Sequence, residues 1–310
     1  MMKVLIVARY KGRGFSPFVT EQVQALGKAG AECRFFPVRS KGVMGYLKQL
    51  PELKKVIREF KPNIVHAHYG FCGLLANLQR KVPVVTTYHG SDINEPKVRK
   101  LSNIAICLSA YNVFVSQKNI DIVNPKKNFA LLPCGINLED YNIFDKAEAR
   151  KQMGLELDKK YILFASAFDN KIKNAILAKE SVSLLNDSNV ELLELKGYTR
   201  QQVAMIMQAV DVFLMTSISE GSPQVIKEAL ACGCPIVSVD VGDVRERIKG
   251  VEGCFVANNH VAVDVADCLR KALEFKGKTS GREKLLADGL ENSRVAECLM
   301  ALYEKITKNK

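Results

Sequence analysis

Two glutamates, Glu220 and Glu228, stand eight residues apart in the segment SEGSPQVIKEALACGCPIV. A carboxylate accepts two hydrogen bonds from neighbouring hydroxyls, as the acidic residue of a dinucleotide site does for ribose. Glu228 follows Pro223 by five residues, which is about 8 Å along a helix that rises about 1.5 Å per residue. Carboxylates at this spacing suit a ligand with hydroxyl groups at both ends. The alternative is a solvated helix residue at Glu228 and a loop charge at Glu220.

A helix within the same segment supplies the second part of such a site. Ser222 predicts a capping hydroxyl, Pro223 fits the first helical position and Gly233 fits the helix end. The free N–H groups and partial positive charge at a helix N-terminus favour phosphate. A phosphate flanked by two sets of hydroxyls is the layout of a nucleotide sugar, which joins hexose, diphosphate and ribose.

Strand-like and helix-like segments alternate along the whole chain. The strand-like runs are short and rich in Val and Ile, which is typical of parallel strands covered on both faces. In such sheets ligands bind outside the carboxyl ends of the strands. The runs are KVLIVA, ECRFFPV, NIVHAH, VPVVTTYH, NVFVS and FALLP, and then YILFAS, VELLEL, DVFLM, PIVSV and GCFVA.

The turn-rich stretch PCGINLEDYN separates two series of βα units. We therefore predict an α/β protein with a Rossmann-like N-terminal domain over residues 1–140 and a Rossmann-like C-terminal domain over residues 141–291. A last helix over about residues 292–310 is expected to pack back on the first domain.

The composition of the 310 residues, 47% hydrophobic and 25% charged, is that of a water-soluble globular protein. No apolar run approaches the roughly 20 residues of a spanning helix, and the N-terminal run is too short for a signal peptide. Nine cysteines without paired spacing indicate reduced thiols in a cytoplasmic protein. Cys232 and Cys234 lack the companions of a metal site.

The positive charge is concentrated in the first half of the chain. Residues 1–150 hold 23 lysines and arginines against 11 acidic residues, whereas residues 151–310 hold 22 of each. A basic half-molecule predicts an anionic partner: lipid head groups, nucleic acid or a phosphorylated substrate. Nucleic acid is not expected, because the chain has no Trp and no basic run interleaved with aromatic residues.

The segment EGSPQVIKEALACGCPIVS, followed by VGDVRERI, resembles the paired-glutamate signature of the retaining glycosyltransferases of family 4. FSPFVTEQVQALGKAG, IVHAHYGFCGLLA, TTYHGSDIN, LLPCGIN and YILFASAFDNKIKN resemble other parts of that family, so the resemblance extends over nearly the whole chain. It implies the GT-B fold, in which two Rossmann-like domains face each other across a cleft. The first domain would bind the acceptor and the second the nucleotide sugar.

The resemblance also implies roles for single residues. Glu220 would contact the donor hexose and Glu228 the ribose hydroxyls. Lys173 matches the lysine that neutralises the diphosphate, although a solvated loop cation is the alternative. His89 matches a histidine that reaches the donor sugar, and Gly14 would let the backbone approach the phosphate or acceptor. The remaining donor contacts would come from Gly221, Ser222, Pro223 and Gln224.

The chain departs from the family at one point of the phosphate loop. The family usually has an arginine in a GRL-like triplet, whereas this chain has ASA and therefore Ser166 at that position. Lys171 or Arg13 would have to replace the arginine. His66 and His68 alternate on one strand and therefore point the same way. A metal site is one explanation of the pair, but the family needs no catalytic metal and none is expected.

The resemblance implies transfer of a hexosyl group from a UDP- or GDP-linked sugar to a glycan or lipid-linked acceptor, in polysaccharide or glycolipid assembly. The leaving phosphate oxygen would take the acceptor's proton, so no cofactor and no protein base are expected. One alternative is a nucleotide-sugar epimerase of the same fold, which would need no acceptor. The other is a basic, non-catalytic nucleic-acid-binding protein.

The stretch over residues 39–62, RSKGVMGYLKQLPELKKVIREFKP, combines cations with apolar residues. It predicts either an ordinary surface helix or a docking surface for an anionic membrane, in which apolar side chains enter the interface. Docking would place the protein on the cytoplasmic face of a membrane. The cations are Arg39, Lys41, Lys48, Lys54, Lys55, Arg58 and Lys61, and the apolar residues among them are Val43, Met44, Tyr46, Leu47 and Leu50.

Overall fold

The computed structural model describes residues 1–10, 12, 14–40 and 42–308. Arg13 and Lys41 lie outside the described residues. The chain divides into two compact units. Unit 1 comprises Met1–Ile136 and Leu290–Lys310, and unit 2 comprises Asn137–Gly289. The observed division lies four residues before the predicted one at residue 140.

Unit 1 is built on a six-stranded parallel sheet with the strand order β2-β1-β3-β4-β5-β6. Its first strand is apolar at the centre, and Val4, Leu5, Ile6 and Val7 are fully buried because helices cover both faces. The elements in chain order are β1 (Met2–Arg9), α1 (Pro17–Lys28), β2 (Ala31–Val38), α2 (Gly42–Leu47), α3 (Leu50–Phe60), β3 (Ile64–His68), α4 (Gly70–Asn77), β4 (Val84–Tyr88), α5 (Ser91–Asn94), α6 (Pro96–Leu108), β5 (Tyr111–Phe114), α7 (Gln117–Val123) and β6 (Phe129–Leu131).

Unit 2 is built on a five-stranded parallel sheet with the order β11-β10-β9-β7-β8. Short 3₁₀ helices occupy Leu138–Asp140 and Lys171–Lys173. The other elements are α8 (Lys146–Met153), β7 (Lys160–Phe164), α9 (Ala175–Ser183), β8 (Val190–Glu194), α10 (Arg200–Ala209), β9 (Val212–Met215), α11 (Gln224–Ala231), β10 (Ile236–Val239), α12 (Val244–Ile248), β11 (Phe255–Ala257), α13 (Ala262–Glu274) and α14 (Gly281–Ala287).

The last helix, α15 (Asn292–Lys308), belongs to unit 1 although it follows unit 2 in the chain. Its buried residues include Val295, Leu299 and Tyr303, which join the same apolar cluster as Val4 and Ile6 of β1. The helix therefore closes one face of the first sheet.

The predicted α/β class with two Rossmann-like units is confirmed. Within the described residues, each of the eleven predicted runs forms a strand. The strand order also defines a switch point in each sheet, where the chain changes the direction in which it adds strands. The switch lies between β1 and β3 in unit 1 and between β7 and β9 in unit 2. Loops at the carboxyl ends of such strands are the usual ligand-binding positions.

No helix in the described part of the chain combines the length and the apolar character that a membrane crossing requires.

Candidate functional site

Two loops of unit 2 meet at the switch point, one after β7 and one after β9. The amide of Ile218 donates to the carbonyl of Ile172 over 2.9 Å. The Thr216 hydroxyl donates to the carbonyls of Lys173 at 3.1 Å and Asn174 at 2.9 Å. These bonds connect the loops at the backbone, so side chains on the two loops have a fixed separation.

Lys173 and Glu220 form an ion pair where these loops meet. The Lys173 Nζ lies 2.6 Å from the Glu220 Oε1, and the two side chains are 19% and 15% exposed. An ion pair with this little solvent contact is screened much less than one on the surface. Lys173 and Glu220, to which the resemblance assigns the diphosphate and the sugar, therefore lie in direct contact.

The start of α11 differs from the prediction. Ser222 does not cap the helix, because its hydroxyl donates instead to the Asp243 Oδ2 over 2.8 Å. Pro223 is the N-cap residue, with extended backbone angles, and the helix begins at Gln224. A buried carboxylate is a stronger acceptor than a neutral partner, which explains the preference of the hydroxyl. At the other end, Gly233 has a φ of +67° just after the last turn, so the predicted helix end is confirmed.

The loop after β10 packs against Glu220 and Gly221. A Cβ atom at Gly242 would lie 2.4 Å from the Gly221 carbonyl oxygen, and Gly242 has a φ of +55°. Both facts require glycine at this position. The two loops are therefore in close contact, so a side chain at position 242 would displace Gly221 and Glu220. Sequence reasoning missed this support, although the VGDVRERI segment contains it.

Two other predicted residues occupy the same helix. Gln224 lies in the first turn of α11, and its Oε1 accepts from the Nζ of the fully buried Lys227 over 2.7 Å. Glu228 lies four residues later and is half-buried. Residues four apart share a helix face, so Glu228 lies one turn further along α11 on the face of Gln224.

Ser166, at the position of the missing arginine, forms a hydrogen bond within its own loop. The Ser166 hydroxyl accepts from the Asn170 Nδ2 over 3.2 Å, within the loop after β7. Lys171 is exposed in the short 3₁₀ helix that also carries Lys173. The other predicted substitute, Arg13, falls outside the described residues.

His89 of unit 1 follows the carboxyl end of β4, and Asp92 holds its backbone. The buried Asp92 carboxylate accepts from the amides of His89 at 3.0 Å, Gly90 at 3.1 Å and Gly70 at 2.9 Å. Burial raises the pKa of Asp92 to about 6, against the opposing effect of these amide bonds. Sequence analysis missed Asp92, although an Asp soon after a strand-end Gly, as in HGSD, is a known turn signal.

The remaining predicted residues of unit 1 lie in the loop after β1 and on β3. Gly14 follows β1 and has a φ of +154°, and a Cβ atom there would meet open space. His66 and His68 are fully buried, and their rings stack at 4.7 Å between centroids, so they point the same way as predicted. In the described part of the chain, no group of three His, Cys, Asp or Glu residues is arranged to hold a metal ion.

Two family models match the chain in separate regions. The model described as glycosyltransferase family 4 matches residues 12–140, and the model described as glycosyl transferases group 1 matches residues 177–274. Together the two regions span most of both units.

Similar curated proteins include a protein named as a teichuronic acid biosynthesis glycosyltransferase of Bacillus subtilis. It is 28% identical over 235 residues, which are 66% of this chain and 58% of the relative. A D-inositol 3-phosphate glycosyltransferase of Mycobacteroides abscessus is 26% identical over 298 residues, with 78% of this chain and 65% of the relative covered. The chain thus aligns with about three fifths of the length of these two relatives.

Solved structures with the same fold include the sucrose-phosphate synthase of Thermosynechococcus elongatus, with a TM-score of 0.81, 15% identity and 100% of both chains covered. The Anabaena protein HepE, in complex with UDP and glucose, has a TM-score of 0.75 and 14% identity over 98% of this chain and 100% of its own. The UDP-GlcNAc 2-epimerase of Methanocaldococcus jannaschii has a TM-score of 0.64 and 13% identity over 98% of this chain and 100% of its own.

Proposed function

The chain belongs to the glycosyltransferases of group 1, family 4, and from that premise we propose that it transfers a hexosyl group from a UDP- or GDP-linked sugar to an acceptor hydroxyl with retention of configuration. The acceptor is a glycan or lipid-linked glycan in polysaccharide or glycolipid assembly. A similar protein named for teichuronic acid biosynthesis supports that setting. The nucleotide sugar is a substrate, and the proposal includes no cofactor.

The contact between Lys173 and Glu220 carries the proposal. A cation and a carboxylate, 2.6 Å apart and largely shielded from solvent, lie at the switch point of a parallel sheet. A glycosyl diphosphate has an anionic group directly joined to a ring with hydroxyls, so it offers one partner to each residue. Lys173 would bind its phosphate and Glu220 would accept hydrogen bonds from its hexose hydroxyls, so two charge-assisted contacts would replace the ion pair.

In the proposed reaction the protein mainly positions the substrates and stabilises the leaving group. The acceptor oxygen forms its bond to the anomeric carbon on the face from which the nucleoside diphosphate departs. The acceptor's proton passes to the leaving phosphate oxygen, so no protein base is consumed. Lys173 stabilises the charge that develops on that oxygen, while Glu220 fixes the sugar and Glu228 the ribose.

A radiolabelled-donor assay with the wild type and two variants tests the function. UDP- and GDP-hexoses are offered with and without glycan and lipid-linked acceptors, in the presence of a chelator. Lys173→Ala should lower kcat by about 100-fold or more, as expected for loss of a group that stabilises transition-state charge. Lys249→Ala, at an exposed lysine of unit 2 outside the loops after β7 and β9, is the control and should keep most of the activity.

Two outcomes of this assay oppose the proposal. Full turnover of Lys173→Ala would transfer the phosphate role to Lys171 or Arg13. Conversion of the donor sugar in the absence of any acceptor would indicate an epimerase, whose fold this chain shares.

We further propose that α2 and α3 of unit 1 dock on an anionic membrane. Met44 is 68% exposed and Val43 37% exposed at the start of α2, so two neighbouring apolar side chains face solvent beside the cations of α3. Lys55 and Arg58 of α3 are exposed, and Lys54 is half-buried. Each cation near an anionic surface contributes about 1 kcal/mol.

The structure corrects one part of the predicted docking surface. Tyr46 is not available to a membrane, because its ring is buried and packs on Phe71 with 5.5 Å between centroids. Leu53, Ile57 and Phe60 of α3 also face the core. The proposed contact is therefore limited to the apolar tip of α2 and the outer cations of α3.

Sedimentation with vesicles that contain anionic lipid tests the docking. The wild type should co-sediment at low salt and release at high salt. Charge reversal of Lys54, Lys55 and Arg58 should abolish binding, whereas reversal of the exposed Lys249, Lys271 and Lys276 in unit 2 should leave it nearly unchanged. A wild type that stays in the supernatant would favour an acceptor in solution.

A further inference from the structure

Three histidine rings form a row beneath the loops of unit 1. His66 and His68 alternate on β3, and His89 follows β4, the neighbouring strand. The centroids of His66 and His68 lie 4.7 Å apart with 19° between the ring planes, and those of His68 and His89 lie 5.2 Å apart with 21° between the planes. The row leads from the fully buried core to the half-buried His89.

Both ring nitrogens of His66, the innermost histidine, have hydrogen-bond partners. The His66 Nδ1 lies 2.5 Å from the Tyr303 hydroxyl of α15, and its Nε2 lies 2.7 Å from the Thr87 hydroxyl. Burial, and next the neighbouring His68, hold the pKa of His66 well below its ordinary value. His66 is therefore neutral and held in place, and its ring packs against that of His68.

His68, the middle histidine, has one hydrogen-bond partner among the described residues. The His68 Nδ1 lies 3.0 Å from the His89 Nε2, while the buried His68 Nε2 has no hydrogen-bond partner among the described residues. Burial lowers the pKa of His68 to about 3, so the ring is neutral at physiological pH. One proton is therefore shared between the Nδ1 of His68 and the Nε2 of His89.

The position of that proton follows from the environment of the other nitrogen. If His89 donated the proton, His68 would carry its own proton on Nε2, as a buried N–H without an acceptor. Among buried backbone groups, N–H donors without a partner are rarer than under-satisfied acceptors, and we expect the same preference for the ring nitrogens. The proton therefore resides on the His68 Nδ1, and neutral His89 carries its proton on Nδ1, which faces the Cys134 Sγ at 3.7 Å.

We propose that His68 is a positioning residue that donates from Nδ1 to the His89 Nε2 and so fixes both the tautomer and the ring plane of His89. Asp92 fixes the backbone of the same residue, and the rings of Phe18 and Tyr69 flank it with centroids at 4.9 and 4.5 Å. The role of His89 beside the donor sugar rests on the proposed function. The tautomer rests on the structure of unit 1 alone.

Long-range ¹H–¹⁵N correlation spectra of histidine-labelled protein test the assignment directly. The chain has four histidines, so the ring signals can be assigned with one substitution for each. His68 and His89 should both be neutral and protonated on Nδ1. Protonation of His89 on Nε2 would overturn the proposal. This measurement needs no substrate, so it decides the tautomer even if no transfer is detected.

Two amide variants separate positioning from packing. The Nδ2 of asparagine occupies the place of the histidine Nδ1 and can donate to His89, whereas glutamine places its amide nitrogen nearer the Nε2 position. His68→Asn should keep the His89 signals and most of the transfer activity. His68→Gln should change the tautomer signals of His89 and lower kcat/KM by about 10- to 100-fold.

Thermal melting followed by circular dichroism controls for loss of the fold, and both variants should melt at similar temperatures. Equal loss of activity in both variants with unchanged His89 signals would reduce His68 to a packing residue and overturn the proposal. Wild-type spectra and turnover in His68→Gln would overturn it as well.

Discussion

Glu220 is paired with Lys173, whereas Glu228 lies in the second turn of α11. We predict that Glu220→Ala lowers kcat by about 100-fold, since it removes a contact to the reacting sugar. Glu228→Ala should instead raise KM by about 10-fold or more with a smaller change in kcat, since a ribose contact is equal in ground and transition states. Steady-state kinetics of both variants decide, and unchanged values in either would remove that residue from the donor site.

Asp92 predicts a pH dependence of stability in unit 1. Its pKa in the folded protein, about 6, lies above the 3.8 of an ordinary aspartate because of burial. The folded state therefore holds this proton more tightly. The resulting stabilisation is complete below about pH 4 and is lost as the pH rises through 6. The shift corresponds to about 3 kcal/mol.

Asp92→Asn serves as the reference for this titration, because the amide is uncharged at every pH and its oxygen still accepts from His89 and Gly90. Hydrogen exchange of unit 1 peptides in urea gives the free energy of unfolding for both proteins. The difference, wild type minus variant, should fall between about pH 4 and pH 6 and then level off. A difference that rises over this range would mean that the amide hydrogen bonds lower the pKa of Asp92 more than burial raises it.

At the scale of elements, the loops after β7, β9 and β10 act as one support for Glu220. Gly242→Ala should displace the Gly221 carbonyl, which would lie 2.4 Å from the new methyl group. A shift of about 1 Å at the reaction centre lowers turnover by about 100-fold. Kinetics and thermal melting should therefore show lost activity beyond the loss of stability.

Gly250→Ala is the matched control for this variant. Gly250 also has a positive φ, +77°, but a Cβ atom there meets nothing within 4 Å. Both alanines carry the cost of a left-handed backbone, about 1–2 kcal/mol, and only Gly242→Ala carries the clash. Equal kinetics in the two variants would show that the loop after β10 does not position Glu220.

The elements themselves were largely predictable, whereas some of their contacts were not. Runs such as KVLIVA give strands because Val and Ile side chains fill both faces of a covered sheet. Ser222 illustrates the limit of local patterns. Serine before proline predicts a helix cap, but the competing acceptor, Asp243, lies 21 residues further along the chain. No local pattern reveals a partner at that separation.

At the scale of the whole molecule, the order of the strands in each sheet determines which loops lie side by side. The alternation of strands and helices in the sequence does not reveal that order. Lys173 and Glu220 meet because β9 pairs with β7 rather than with β8. The sequence identified both residues by resemblance to a family, but the 2.6 Å contact between them depends on this pairing. The histidine row likewise depends on β3 lying beside β4 and on α15 returning to unit 1.

We propose that unit 2 binds a nucleotide sugar at the Lys173–Glu220 pair, and we expect calorimetric titration of the wild type and Lys173→Ala with a UDP-hexose and a GDP-hexose to test this. We predict that one of the two donors binds the wild type at one site per chain. Lys173→Ala should bind it about 10- to 100-fold more weakly, as expected for loss of a hydrogen bond to a charged group. Equal affinity in both proteins, or no binding of either donor to the wild type, would contradict the claim.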